Sequence, residues 1–385
     1  MEIIGIICEY NPLHLGHKKQ LDAIRAAYPD GGIVSLMSGN YVQRGAPAVF
    51  DKSLRAKAAI LSGADLVLEL PVTAALSSAE GFAREGVRIL GSFCNRLCFG
   101  AESADANSLL ATANALRSPA FSEALRAELD RGLSFPAARQ AALKNMGLDT
   151  DILAKPNDIL ATEYCKAILE LDVPMEPMVI RRAGSYHDRA IDPQNPSATA
   201  LREQITGGGD WLSYVPETAK EIFADASVHT LLAGEQAMLY RLRSMTDEEF
   251  ESLPYGSEGL WRKLMTNARK YATLEEIITA TKSKRYTRTR LDRMVMCACL
   301  GIAAEDIASP APYTRVLAFN DTGRLLLKSA RQAGLYPNAG EYMDSPYQVL
   351  EQRSGMLYSQ FSANKQEPPC REEDRRVYYH KGDIA

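Results

Sequence analysis

The apolar positions of the first hundred residues alternate between two kinds of pattern. Ile3, Ile4, Ile6 and Ile7 fall in a continuous apolar run ending at Cys8, as in a strand buried on both faces. Asn11-Pro12 is turn chemistry, and from His17 onward Leu21, Ile24 and Tyr28 recur at helical spacing. A helix therefore begins at or near Gly16. The run GIVSLM at 32–37 predicts a second strand. Asp51 predicts the N-cap of a helix reaching Leu61, with Leu54, Ala58 and Leu61 on its apolar face and Lys52, Arg55 and Lys57 on its wet side. Residues 65–70 (DLVLEL) read as a third strand, 78–90 as a helix and 96–99 as a short fourth strand. This alternation with short connections predicts an α/β domain built on a doubly wound parallel sheet.

Further along, 104–147 is rich in Ala and Leu and reads as a helical insertion without chemistry. A helix opens at Lys155-Pro156-Asn157-Asp158, with Asn157 as N-cap. Residues 178–182 (MVIRR) form a fifth strand ending on Arg181 and Arg182. Gly207-Gly208-Gly209 is the best linker, so the expected division is 1–206 and 210–385. The second part reads as mainly helical to about 335, with a polar tail of mixed charge from about 340.

Composition narrows the class. The 385 residues are 46% hydrophobic and 24% charged, enough to bury the cores of two or three domains. With a net charge of −4, any nucleic-acid contact must rest on a local basic patch. No apolar run reaches membrane-spanning length, and the first apolar run is too short for a signal peptide. The seven cysteines are irregularly spaced, and Cys94/Cys98 and Cys297/Cys299 lack metal-ligand spacing. Small buried hydrophobes in a reducing cytosol account for them, so the expected location is cytoplasmic.

The chemistry concentrates where predicted strands hand over to helices. His14-Leu15-Gly16-His17 places two imidazoles and a glycine at a helix N-terminus, where unpaired N–H groups and the helix dipole favour an anion. This reads as a nucleotide phosphate site. Histidines at i and i+3 with no third ligand nearby argue against structural zinc, and no metal ligand is assigned. The loop Ser38 to Pro47, with Gln43 and Arg44, lies at a strand's carboxyl end, where open α/β sheets bind ligands. Gly100 sits at another such end and admits a flat ligand. Pro196-Ser197-Ala198-Thr199-Ala200-Leu201-Arg202 is a second hydroxyl-rich helix start, in which Ser197 or Thr199 can face an anion with Arg202 one turn on. Two helix N-termini could thus grip one triphosphate. The basic run Lys282, Lys284, Arg285, Tyr286, Arg288 and Arg290 suits an RNA backbone and a stacked base.

Together, the stretch from Cys8 to His17, the loop from Ser38 to Pro47, Leu97 to Gly100, Lys155 to Asn157 and Pro196 to Arg202 resemble the tRNA(Met) cytidine acetate ligase family. Ser283 to Thr287 and Arg315 to Asn320 look like that family's C-terminal half. The resemblance implies a nucleotidyltransferase-type Rossmann-like domain followed by a mainly helical tRNA-binding domain. It implies activation of acetate by ATP to acetyl-adenylate, and acetyl transfer to the wobble cytidine of elongator tRNA(Met). The family's ATP contacts carry over to Ile7, Cys8, Glu9, Tyr10, Asn11, Pro12, Leu13, His14, Leu15, Gly16, His17, Lys18, Lys19 and Gln20, and to Gly100, Asn157, Arg181 and Arg182. On this reading His14, His17 and Arg202 carry catalysis, with Ser197 and Thr199 at the triphosphate. Arg44 or the backbone of the 38–45 loop holds the acetate carboxylate, Mg²⁺ bridges the phosphates and no cysteine acts as nucleophile. The rival readings are a small-molecule adenylyltransferase that releases pyrophosphate, and a non-catalytic ATP- or RNA-binding protein.

Overall fold

The computed structural model describes residues 1–103, 105–148, 150–181, 196–335 and 345–382. Nine strands appear among them: β1 (Ile3–Cys8), β2 (Gly32–Ser38), β3 (Tyr41–Val42), β4 (Ala46–Pro47), β5 (Leu66–Leu70), β6 (Arg96–Ala101), β7 (Glu176–Arg181), β8 (Val316–Asn320) and β9 (Tyr378–His380). Seven form one sheet in the order β7-β6-β1-β2-β5-β8-β9. The pairs β7/β6, β6/β1, β1/β2 and β2/β5 are parallel. The chain steps outward from β1 through β2 to β5, then crosses back to place β6 on the other side of β1. That reversal makes the carboxyl ends of β1 and β6 the topological switch point, where a crevice opens.

The central strands are apolar on both faces because helices cover both. One core packs Ile7, Leu36, Leu68 and Leu97 against the helices Ala79–Leu90 and Pro156–Leu171. The other packs Ile4, Ile6, Met37 and Val67 against α1 (Leu15–Ala27) and α2 (Lys52–Leu61). The expected helical insertion is present as Ala106–Leu116, Pro119–Asp130 and Phe135–Asn145. A third core, mostly helical, gathers Met238, Leu264, Ile277, Leu291 and Val295, with Tyr41 of β3 packed among them.

Several features differ from expectation. The sheet is not confined to 1–206, because β8 pairs antiparallel with β5 and β9 parallel with β8. Gly208 is simply the left-handed C-cap of the helix Ala198–Gly207. The polar tail also docks: Glu372 is buried against Lys52, at 2.6 Å. Lys52 and Arg55, assigned to the wet face of α2, are buried too. Lys52 bridges Glu69 and Glu372, and Arg55 faces the carboxyl ends of β1 and β2, where main-chain carbonyls need donors.

Candidate active site

The turn from β1 into α1 is held by its own side chains. His14 is the N-cap of α1, and its Nδ1 accepts the Gly16 N–H at 3.1 Å. His17, three residues on, accepts the His14 N–H on its own Nδ1 at 3.3 Å. This is a capping box made from two imidazoles rather than from Ser and Glu. The rings stack 3.7 Å apart, and His17 meets Tyr10 edge-on at 5.0 Å. A neutral ring whose Nδ1 accepts carries its proton on Nε2, so the hydrogen bonds assign both histidines as Nε2–H donors. Gly16 leaves the His14 ring its room: a Cβ there would lie 3.0 Å from His14 Cε1 and press on it. His14 itself is 1% exposed, so it shapes the turn from behind while His17 lines the cavity in front.

That cavity, about 560 Å³, opens at the switch point. Its floor is Ile7, Cys8, Glu9, Tyr10 and Asn11, with His17 and Gln20 from α1. Gly100 and Asn157 line one side, Thr199 and Arg202 another, and Gln43 and Arg44 the rim. The two distant motifs do converge. Arg202 Nη1 donates to the Asn11 carbonyl at 2.7 Å, and its Nη2 donates to Thr199 Oγ1 at 3.2 Å. Asn11 Oδ1 accepts the Val49 N–H at 2.7 Å, which ties the segment after β4 to the same turn. Glu9 Oε1 accepts the Gln43 N–H at 2.8 Å. At the tip of the β3–β4 hairpin, Gly45 has φ +75 and a Cβ there would collide with Arg293 N at 2.4 Å.

Other expected positions sit outside the cavity wall. Pro12 and Leu13 are buried within the turn, and Leu15 is half-buried in the first turn of α1. Lys18 pairs with Asp22, and Lys19 is exposed. Ser197 uses its hydroxyl to cap the helix Ala198–Gly207, accepting from Ala200 N at 3.1 Å. Arg181 ends β7, exposed, and Arg182 lies outside the described residues. Asn157 is not the expected cap: Lys155 occupies the N-cap position, and Asn157 follows Pro156 inside the first turn. The Cys8 thiol is pushed up by burial, and that of Cys98 is pushed up to about 12 by burial.

A family model described as HIGH Nucleotidyl Transferase matches residues 1–372. A tRNA(Met) cytidine acetate ligase of Clostridium novyi (strain NT) is 36% identical over 356 residues, 88% of this chain and 89% of that protein. The chain belongs to the tRNA(Met) cytidine acetate ligase family. Another member, from Anoxybacillus flavithermus, is 31% identical over 400 residues, 98% of both chains. Among solved structures of the family, apo Thermotoga maritima TmcAL superposes with a TM-score of 0.90 at 28% identity, covering 99% of this chain and 100% of that one. The same protein bound with alpha-thio ATP gives a TM-score of 0.87 over the same shares.

Several residues at this family site carried no local signal in the sequence. Arg55 is 0% exposed and donates to the carbonyls of Glu9 (2.6 Å), Phe50 (2.8 Å), Ser38 (3.1 Å) and Gly39. It thereby stitches together the loops that leave β1 and β2. His229, Thr230 and Leu231 line the cavity near Val49, whose carbonyl accepts the His229 N–H at 2.9 Å. Burial pushes the His229 imidazole down, although Glu367 lies 3.2 Å away. The basic run forms the corner between the helices Leu274–Thr281 and Arg288–Leu300. Lys282, Lys284 and Arg285 are exposed there. Arg285 and Tyr286 bond Glu258, Arg288 pairs with Glu275 and Asp292, and Arg290 packs on Tyr286 while donating to the Tyr255 carbonyl. Four of the six residues of the run therefore brace the corner itself.

Proposed function

We propose that the protein forms acetyl-adenylate from acetate and ATP, releasing pyrophosphate. It then transfers the acetyl group to the exocyclic amine of the wobble cytidine of elongator tRNA(Met), and AMP leaves. The observation that carries this reading is the 2.7 Å bond from Arg202 to the Asn11 carbonyl, which joins the second helix start to the two-histidine turn over one cavity. Family membership supports the same activity, since the relatives bear this name and the Thermotoga maritima protein binds an ATP analogue.

The chain's own groups suit the reaction. An acetate oxygen attacks the α-phosphorus, and the bond from that phosphorus to the bridging oxygen breaks. Charge grows on phosphoryl oxygens, where His17 Nε2–H, the Arg202 guanidinium and the α1 N-terminus supply donors fixed in advance. The capping box holds His17 in the donor tautomer, so no reorganisation is needed during the step. The cytidine amine then attacks the acetyl carbonyl, the bond to AMP breaks, and the amine nitrogen loses a proton. No acyl-enzyme is needed, in keeping with cysteines held as neutral thiols. Arg44, at the exposed rim, holds the acetate carboxylate. Mg²⁺, when bound, would supply charge neutralisation on the phosphates. The basic corner at Lys282, Lys284 and Arg285 meets the tRNA backbone.

The test is direct. Purified protein with ATP, isotopically labelled acetate and tRNA is expected to yield acetyl-AMP and labelled N4-acetylcytidine by mass spectrometry. Pyrophosphate release that ignores acetate would refute the proposal.

A further inference from the structure

Two cavity side chains where β1 meets the β3–β4 hairpin are each pinned at one end only. Glu9, just beyond β1, accepts the Gln43 N–H on Oε1 at 2.8 Å. Gln43, at the hairpin tip, donates its Nε2 to the Ser77 carbonyl at 3.2 Å. A carbonyl only accepts, so that bond fixes the Gln43 amide with its NH₂ toward Ser77. Neither Glu9 Oε2 nor Gln43 Oε1 has a hydrogen-bond partner among the described residues, and both residues stand half-buried in the cavity wall. Their main chains are held as well. Arg55 Nη1 donates to the Glu9 carbonyl at 2.6 Å, and Arg293 Nη1 donates to the Gln43 carbonyl at 3.4 Å.

The cavity therefore carries two neighbouring acceptors on rigid supports. A carboxylate repels phosphate, so the triphosphate belongs with His17 and Arg202 instead. A pair of acceptors suits a group with two N–H donors, which is a primary amine. Gln43 also adjoins Arg44 in the chain, where the proposed reaction holds the acetate. An amine bound here lies on the side of the cavity from which the acetyl group is to be taken.

We propose that Glu9 is the catalytic base of acetyl transfer and that Gln43 reads the nucleophile with it, the two taking both N–H groups of the cytidine exocyclic amine. This rests on the acetyl-transfer reading above and deepens it. Gln43 Oε1 holds one hydrogen, and Glu9 Oε2 faces the other. The amine nitrogen bonds to the acetyl carbonyl carbon, the bond from that carbon to the AMP oxygen breaks, and the second N–H proton passes to Glu9 Oε2 as AMP leaves. Uridine presents a carbonyl oxygen where cytidine presents the amine, and two acceptors reject it.

The experiment measures two half-reactions of the full chain separately. One is acetate-dependent exchange of labelled pyrophosphate into ATP. The other is single-turnover transfer from preformed acetyl-AMP to tRNA(Met). Glu9→Gln keeps an oxygen for the Gln43 N–H but removes the base. Transfer is expected to fall about 100-fold or more beyond any change in exchange. Gln43→Leu removes one acceptor, and transfer is expected to fall about tenfold relative to exchange, the worth of one hydrogen bond. A weakened fold, or side chains that serve the ATP adenine or phosphates, lowers exchange as much as transfer. Equal losses in Glu9→Gln would overturn the base, and equal losses in Gln43→Leu would overturn the reading of the amine. Should Glu9→Gln not fold, Glu9→Asp, which draws the carboxylate back by one methylene, is expected to show the same split at about tenfold, and equal losses there count against the base. A wild type that makes acetyl-AMP but no N4-acetylcytidine fails the earlier reading instead, and the two failures are distinct.

Discussion

Replacing Arg55 with methionine tests how the site is held. Methionine keeps much of the side chain's length and apolar stem but removes every donor. In the native protein that guanidinium serves the carbonyls of Glu9, Ser38, Gly39 and Phe50 and is 0% exposed. A buried acceptor left without its donor costs about 1–3 kcal/mol. The four costs do not add fully, because carbonyls keep other partners and Glu9 borders the cavity, where water can enter. A total loss of about 3–5 kcal/mol is expected, in the range seen when one member of a buried charged network is removed. Against a typical stability of roughly 5–15 kcal/mol, the variant should still fold. Urea titration followed by circular dichroism reads the loss as a lower midpoint at constant slope. Arg55→Lys is expected to recover less than half, since one ammonium cannot replace a planar fork aimed at several carbonyls. A loss below about 1 kcal/mol for Arg55→Met would refute the assigned role.

Three further outcomes are expected. Burial would raise the Asp51 carboxyl, but Arg375 at 2.8 Å outweighs it and holds the pKa at about 2, below the ordinary 3.8; the unfolded chain then binds more protons as pH falls, so stability present above pH 4 is lost toward pH 2, by about 2 kcal/mol. Arg375→Met should flatten that acid limb in pH-dependent urea titrations, and an unaltered limb would remove the pair as its cause. Arg44→Ala should raise the KM for acetate about tenfold or more, the value of a charge-assisted contact, while the KM for ATP moves little; equal changes in both would place Arg44 elsewhere. Replacing Lys282 and Lys284 together with alanine should raise the KM for tRNA and lower the slope of log affinity against log salt by about 2. An unchanged slope would take both residues out of the interface.

Legibility in the sequence followed the range over which each cause acts. β1, its turn and α1 were readable because an apolar run, Asn-Pro and a helical period lie within one short stretch. The parallel sheet was readable for the same reason, strand by strand. β8 and β9 were not, since a five-residue strand after Arg315 and three residues in a charged tail carry no alternation to count. Lys52 and Arg55 were misplaced because their partners, Glu372 and the carbonyls of Glu9 and Gly39, come together only in the fold. Asn157 looked like a cap until Glu102, 55 residues earlier, took the first N–H groups of its helix. His229 has no local motif, and its N–H meets the Val49 carbonyl only after the chain has turned back.

The return of the second half of the chain to the sheet has a practical side. Severing the backbone in the glycine triplet at 207–209 would give two pieces, neither owning a whole sheet. The front piece would carry β5 as a bare, sticky margin at Leu66, Val67 and Leu68, and the rear piece would hold the strand that covers it. Each is a template for the other, so the molecule is a natural candidate for a split reporter whose signal returns when its fragments are reunited.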